Sequence, residues 1–164
     1  MSTAVLVDKI FNPELRKKAD AIVAKYETRR ASILEILRLL QEEKSFISLE
    51  AQEAVGQYLE IAAVDVREVM TFYTLFYDKP KAKTRFHICQ TLSCNLMGGE
   101  EIIQHLESKL GVKAGSMTLD GKFSIHRVEC LGACEHAPMM QLNDTEYIPR
   151  LTKEKVDEIV KKSK

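Results

Sequence analysis

Residues 84–111 read TRFHICQTLSCNLMGGEEIIQHLESKLG, and the apolar period changes within them. From Thr84 to Cys89 the residues alternate, with Phe86 and Ile88 on one face, as in a strand. Beyond Gly98-Gly99 the apolar positions are Ile102, Ile103, Leu106 and Leu110, the stripe of a helix that Gly111 can end. Between strand and helix lies a short loop opened by Cys89 and carrying Cys94. A strand that breaks into such a loop is a common place for a site, because a rigid scaffold presents a segment able to curl round a ligand.

Outward toward the C-terminus the pattern stays mixed. Ser116 to Leu119 and Lys122 to Glu129 predict a hairpin around Asp120-Gly121, a dipeptide suited to tight turns. Met139 to Leu142 and Tyr147 to Leu151 read as short strands, and Thr152 can cap a last helix bearing Val156, Ile159 and Val160. The order β-α-β-β-β-helix describes a small α/β layer fold.

Toward the N-terminus the pattern is helical. Asn12-Pro13-Glu14 offers an N-cap, a first-turn proline and an acid. Leu15, Ala19, Ile22, Val23 and Tyr26 then share one face. A second helix is expected from about Arg30 to Glu43 and a third, capped by Ser48, from Leu49 to Leu59. A fourth carries Val66, Val69, Met70 and Tyr73 and ends in the aromatic run Phe72 to Tyr77. That run suits core packing and a docking face equally. Asp78-Lys79-Pro80-Lys81 reads as a linker. The expectation is an α+β chain: a helical bundle over 1–78, then an α/β domain over 82–164.

The bulk numbers narrow the chemistry. The chain has 164 residues, 45% of them hydrophobic, with 24 basic and 24 acidic side chains. That balance lacks the electrostatic footprint of a nucleic-acid binder. No apolar run approaches a membrane span, and MSTAVLVDKIFNPELRKK resembles neither a secretory nor a transit leader. The expected compartment is the cytosol, where four cysteines argue for metal or redox work rather than disulfides.

Those cysteines form two brackets, Cys89-x4-Cys94 and Cys130-x3-Cys134, each in a loop containing glycine (Gly98 and Gly99; Gly132). Four thiolates suit a [2Fe–2S] cluster, two per iron, and equally a structural zinc. Zinc knuckles usually carry C-x2-C, so the wider brackets suit a two-metal rhomb better, with redox thiols a third reading. His126 and His136 lie near the second bracket, but four thiols leave them no necessary ligand role. His126 is expected on the solvated face of its strand, and His87 as a satisfied surface or interface residue.

Residues 128–143, VECLGACEHAPMMQLN, closely resemble a signature of the thioredoxin-like [2Fe–2S] subunits of NADH dehydrogenases, the small iron–sulfur subunit of respiratory complex I. Cys89-Gln90-Thr91-Leu92-Ser93-Cys94 matches the first bracket of that family, and residues 69–76, VMTFYTLF, resemble its helical-region signature. The likeness runs from about residue 13 to 160; only the turn Ser45-Phe46-Ile47-Ser48 departs from it.

The resemblance implies a thioredoxin-like second domain and one [2Fe–2S] cluster on Cys89, Cys94, Cys130 and Cys134. It implies a partner flavoprotein subunit that binds FMN and NADH, and electrons passed singly between its flavin and this cluster. It also implies a place in a bacterial NADH-quinone oxidoreductase, peripheral to the inner membrane face, with no hydride site on this chain. Related subunits serve NAD-linked hydrogenases and formate dehydrogenases, and a zinc-bound interaction module is the rival from another class. In such a cluster the N–H groups of the 91–99 and 131–135 loops and the Ser93 hydroxyl are candidate donors to sulfur. Glu129 and Glu135, with no Lys or Arg inside either bracket, favour a low potential.

Overall fold

The computed structural model describes residues 3–163. The chain divides into two compact units, Met1–Pro80 and Lys81–Lys164.

The first unit is helical: α1 (Thr3–Ile10), α2 (Pro13–Val23), a 3-10 turn (Arg29–Ser32), α3 (Ile33–Lys44), α4 (Leu49–Leu59) and α5 (Ala63–Phe72). Asn12 caps α2 by accepting from the Leu15 N–H at 2.8 Å, and Ser48 caps α4 by accepting from Ala51 at 3.2 Å. Each cap satisfies an otherwise orphaned backbone donor, worth ~1 kcal/mol. Leu15, Ala19, Ile36, Leu37, Leu40, Val55 and Val66 meet in one buried core. Phe11 stacks on Tyr58 with ring centroids 4.7 Å apart, and the Tyr58 hydroxyl donates to Asp20 at 2.6 Å.

Three expectations change here. Helix α1 has no counterpart in the sequence pattern. Tyr26 lies beyond the end of α2 and donates its hydroxyl to Glu35 at 2.7 Å instead of extending the apolar face. The chain leaves the helix at Tyr73, whose backbone is extended. An aromatic and β-branched run is a weak helix former. Here its polar backbone is taken by neighbours: Gln41 donates to the Leu75 carbonyl and accepts from the Tyr77 N–H, both at 2.8 Å. Ile47 N–H bonds the Tyr77 carbonyl at 2.7 Å. Phe76 packs on the core while Phe72 and Leu75 face solvent.

The second unit is built on a four-stranded sheet in the order β2-β1-β3-β4. The strands are β1 (Thr84–Cys89), β2 (Phe123–Val128), β3 (Met140–Leu142) and β4 (Glu146–Ile148); the helices are α6 (Leu92–Leu96), α7 (Gly99–Leu110) and α8 (Lys153–Lys162). Strands β1 and β2 run parallel, so α6 and α7 form the crossover; β3 and β4 are antiparallel additions. Phe86 and Ile88, Phe123 and Ile125, and Met140 and Leu142 point to one face, where Ile103 and Leu106 of α7 and Val156 and Val160 of α8 bury them. Burying each such side chain contributes ~1.5–3 kcal/mol. Thr152 caps α8, as expected.

The expected hairpin shrinks. Ser116–Leu119 contributes only one isolated bridge, Met117 to Ser124. The turn itself holds, with Gly121 at φ +70° and the Thr118 N–H bonded to the Phe123 carbonyl at 2.8 Å.

The other sheet face is polar and largely shielded. Parallel register places His87 beside His126, and their rings stack 4.8 Å apart. His126 is therefore half-buried rather than solvated. Burial, then the neighbouring His87, pushes its pKa below the usual value. His87 Nε2 lies 2.9 Å from Asp144, which Arg85 also meets at 2.7 Å.

Candidate metal centre

Cys89 is the last residue of β1, and Cys94 lies one turn later on α6, a short helix that the sequence pattern does not announce. Both are only 2% exposed and share a small apolar cluster with Met139, against which Leu131, Ala133 and Ala137 pack. Cys130 and Cys134 are exposed. The strand expected to run to Glu129 stops at Val128, and Cys130 follows in the loop. Cys134 opens a 3-10 turn, Cys134–His136.

Glycine decides how tightly the first pair is built. A Cβ on Gly99 would stand 2.8 Å from the Cys94 carbonyl oxygen and 3.3 Å from that of Cys89. The start of α7 therefore rests on the backbone of both cysteines, an approach open to no other residue type. At the second pair Gly132 has open space around it but takes φ +74°. Its N–H then points at the Cys130 sulfur, 3.4 Å away.

All four cysteines are free thiols. Cys130 Sγ and Cys134 Sγ are 3.9 Å apart. Two thiolates on one tetrahedral metal at a bond length near 2.3 Å sit about 3.8 Å apart, so this pair already spans one edge of such a site. Cys89 and Cys94 interact directly as the other pair. Across the gap, the Leu131 N–H favours negative charge on Cys89, and Cys134 acts electrostatically on Cys94. Among the described residues no three His, Cys, Asp or Glu close round a single point, so the arrangement is two neighbouring pairs.

The thiols of the first pair are split electrostatically. Burial pushes Cys89 up, yet the Thr91 N–H, the Thr91 hydroxyl, the Cys94 thiol and the Leu131 N–H together bring it below its ordinary value. Burial pushes Cys94 up; the Met139 N–H opposes this, and the charges of Cys89 and Cys134 add to the rise. Backbone N–H groups thus converge on sulfur from both loops, as anticipated. Thr91 Oγ1 is buried and meets no hydrogen-bond partner among the described residues.

Two straps hold the loop stems together. Arg127 donates two bonds to Glu100, at 2.6 and 2.9 Å, joining the end of β2 to the start of α7. The Arg127 guanidinium and Gln104 hold the Glu100 carboxyl at about 2. Gln90 donates to Glu129 at 3.0 Å, and its backbone N–H bonds the Val128 carbonyl at 3.0 Å. His136 lies 3.8 Å from Glu135, at the rim of the second pair. Four unlinked thiols in two pairs, ringed by N–H donors, are the donor set that a [2Fe–2S] cluster requires.

Similarity to known proteins agrees with that chemistry. A family model described as thioredoxin-like [2Fe–2S] ferredoxin matches residues 19–164. The chain is similar to an NADH-quinone oxidoreductase subunit of Rhizobium meliloti, 41% identical over 130 residues, or 79% of this chain and 77% of that relative. It is 40% identical over 161 residues to an NADH-quinone oxidoreductase subunit of Rickettsia bellii, covering 94% of this chain and 96% of that one. Among solved structures, an NAD+-reducing [NiFe]-hydrogenase matches 77% of this chain and 22% of its own at a TM-score of 0.68; at 20% identity the likeness is one of fold.

Proposed function

This chain belongs to the thioredoxin-like [2Fe–2S] ferredoxin family, and we propose that it is the one-electron carrier subunit of an NADH-quinone oxidoreductase. Cys89 and Cys94 hold one iron of a [2Fe–2S] cluster and Cys130 and Cys134 the other. When bound, the cluster supplies a one-electron couple. The single observation that carries this reading is the pairing of four free thiols from two loops within a ring of backbone N–H groups.

The residues around the sulfurs do three things. Met139 and Leu131 keep water from the buried pair. The N–H groups of Thr91, Leu131, Gly132 and Met139 stabilise negative charge on sulfur without bringing in a mobile cation. The Glu100–Arg127 strap keeps the two loops in register.

The partner on this reading is a flavoprotein subunit that binds FMN and NADH and exchanges electrons singly with this chain. The assembly is peripheral to the inner face of the membrane; no helix among the described residues is long and apolar enough to cross one. Relatives at 37–41% identity carry the quinone-reductase name, which favours that complex over an NAD-linked hydrogenase or formate dehydrogenase.

Anaerobic purification tests the cofactor. The expected protein is coloured, holds two irons and two acid-labile sulfides per chain, and gives an EPR signal on dithionite reduction. A colourless protein with zinc and no labile sulfide overturns the reading. Affinity purification from the native host tests the partner: FMN and NADH-oxidising activity co-elute if the reading holds.

A further inference from the structure

We propose that Cys130 and Cys134 form an oxidisable dithiol: in the chain without its cluster, a small disulfide such as oxidised glutathione converts them to an intramolecular disulfide, while Cys89 and Cys94 stay as thiols. The consequence for cluster loading rests on the reading of all four as iron ligands; the disulfide itself does not.

The exposed pair meets three requirements of such a site. Its sulfurs already lie 3.9 Å apart. A disulfide bond is about 2.05 Å long, so they must close by about 1.9 Å, which side chains that border solvent supply by rotation. Both residues are exposed, so a small oxidant reaches them. The backbone between them is not wedged: β2 has ended at Val128, and a Cβ on Gly132 would meet nothing within 4 Å.

The first pair fails on access and on freedom. Cys89 and Cys94 are buried with Met139, and Leu131, Ala133 and Ala137 pack against them. Cys89 is fixed in β1, where it pairs with Val128 and its N–H bonds the Met139 carbonyl at 3.2 Å. The start of α7 presses on the Cys94 backbone at Gly99. Thiol–disulfide exchange needs direct approach of sulfur to sulfur, which this packing denies to anything larger than water.

The exchange runs in two steps. One thiolate of the exposed pair attacks a sulfur of the oxidant, breaks its S–S bond and releases one small thiol. The other thiolate then attacks the mixed disulfide and releases the second. The two protein thiols lose two electrons, and one small disulfide becomes two small thiols. Two of the four ligands are now sealed, so the chain accepts no cluster until a dithiol reductant reopens the bond. In the loaded chain both sulfurs are engaged and the exchange does not run.

The experiment uses the full-length chain, stripped without air by a chelator, treated with oxidised glutathione, quenched by alkylation and mapped by peptide mass spectrometry. The expected product links Cys130 to Cys134 and carries alkylated Cys89 and Cys94. The exposed pair should react roughly tenfold faster than the buried pair, a preference that vanishes in strong urea. Cys134→Ser should stop at one glutathione on Cys130, and Cys130→Ser at one on Cys134. Iron and sulfide uptake by the oxidised chain should fall at least about fivefold and return with dithiothreitol. Four retained thiols, a main product that contains Cys89 or Cys94, or the same preference in urea as in buffer each overturn the proposal. A chain that forms the disulfide yet loads iron and sulfide undiminished sinks the ligand reading and the block, and leaves the dithiol standing.

Discussion

The two cysteine pairs carry the same chemistry on different foundations. Cys89 and Cys94 are each 2% exposed, one ending a central strand and the other within a helix, with the first turn of α7 resting on their backbone. Cys130 and Cys134 are exposed, in a loop beyond the end of β2, positioned by the positive φ of Gly132 and a 3-10 turn. The contrast teaches where precision comes from. Close packing of backbone on backbone sets the first pair. Local torsions and two straps to the neighbouring loop set the second.

The largest effect is expected at the ligands. Alanine at any one of Cys89, Cys94, Cys130 or Cys134 removes most of the iron and labile sulfide. Because metal binding is coupled to folding, the second unit then becomes more open to protease than the helical one. In the absence of metal the pairs should part company. Cys89→Ser buries a hydroxyl in an apolar cluster and costs about 1–3 kcal/mol in urea unfolding of the apoprotein. Cys130→Ser, at an exposed site, changes it by less than about 0.5 kcal/mol. Equal costs would erase the distinction.

Glycine substitutions sharpen the comparison. Gly99→Ala forces a Cβ to 2.8 Å from the Cys94 carbonyl oxygen, a clash with backbone that cannot swing aside. The expected loss is about 2–3 kcal/mol together with cluster retention. Gly132→Ala meets nothing within 4 Å and pays only for its left-handed torsion, about 1–2 kcal/mol. Parallel denaturation curves and iron counts rank the two.

The straps are weaker. Glu100 and Arg127 are about a third exposed, so solvent screening limits their pair to roughly 0.5–1 kcal/mol. The Glu100 pKa is depressed to about 2. A depressed carboxylate stabilises the fold above its unfolded pKa, about 4.3, and that contribution is lost as pH falls through about 2. Arg127→Gln should therefore be less stable than wild type at pH 7, and the gap should close progressively below about pH 4. A gap independent of pH would mean that packing, not charge, joins the loops.

The smallest effect concerns the acids, which flank the second bracket only. Glu129→Gln or Glu135→Gln should raise the midpoint potential by roughly 10–40 mV, since removing a nearby negative charge eases reduction. Both acids are exposed, but Glu129 is held by Gln90 at 3.0 Å, so the first substitution should act more strongly. No change or a fall would show that solvent screens both.

Much of this was legible before any coordinates. Strand β1, helix α7 and helix α4 were delimited at the residues observed, and Ser48 and Thr152 cap as anticipated. Clean periodicity and local capping chemistry operate within a few residues, so sequence reports them well. Helix α6 escaped because five residues carry no period, and Ser116–Leu119 remained a single bridge because its edge found no longer partner. The helix from Ala63 stopped at Phe72 because Gln41 and Ile47, distant in sequence, offered the next residues better bonds.

The chain alone determined the four thiols, their bracketing and the soft-ligand chemistry they permit, because residue type and spacing are properties of the polymer. Tertiary structure alone decided that one pair is buried and the other exposed, and that His126 stacks on His87. Those outcomes depend on which atoms a closed fold brings within a few ångströms, and on how much water it leaves between them.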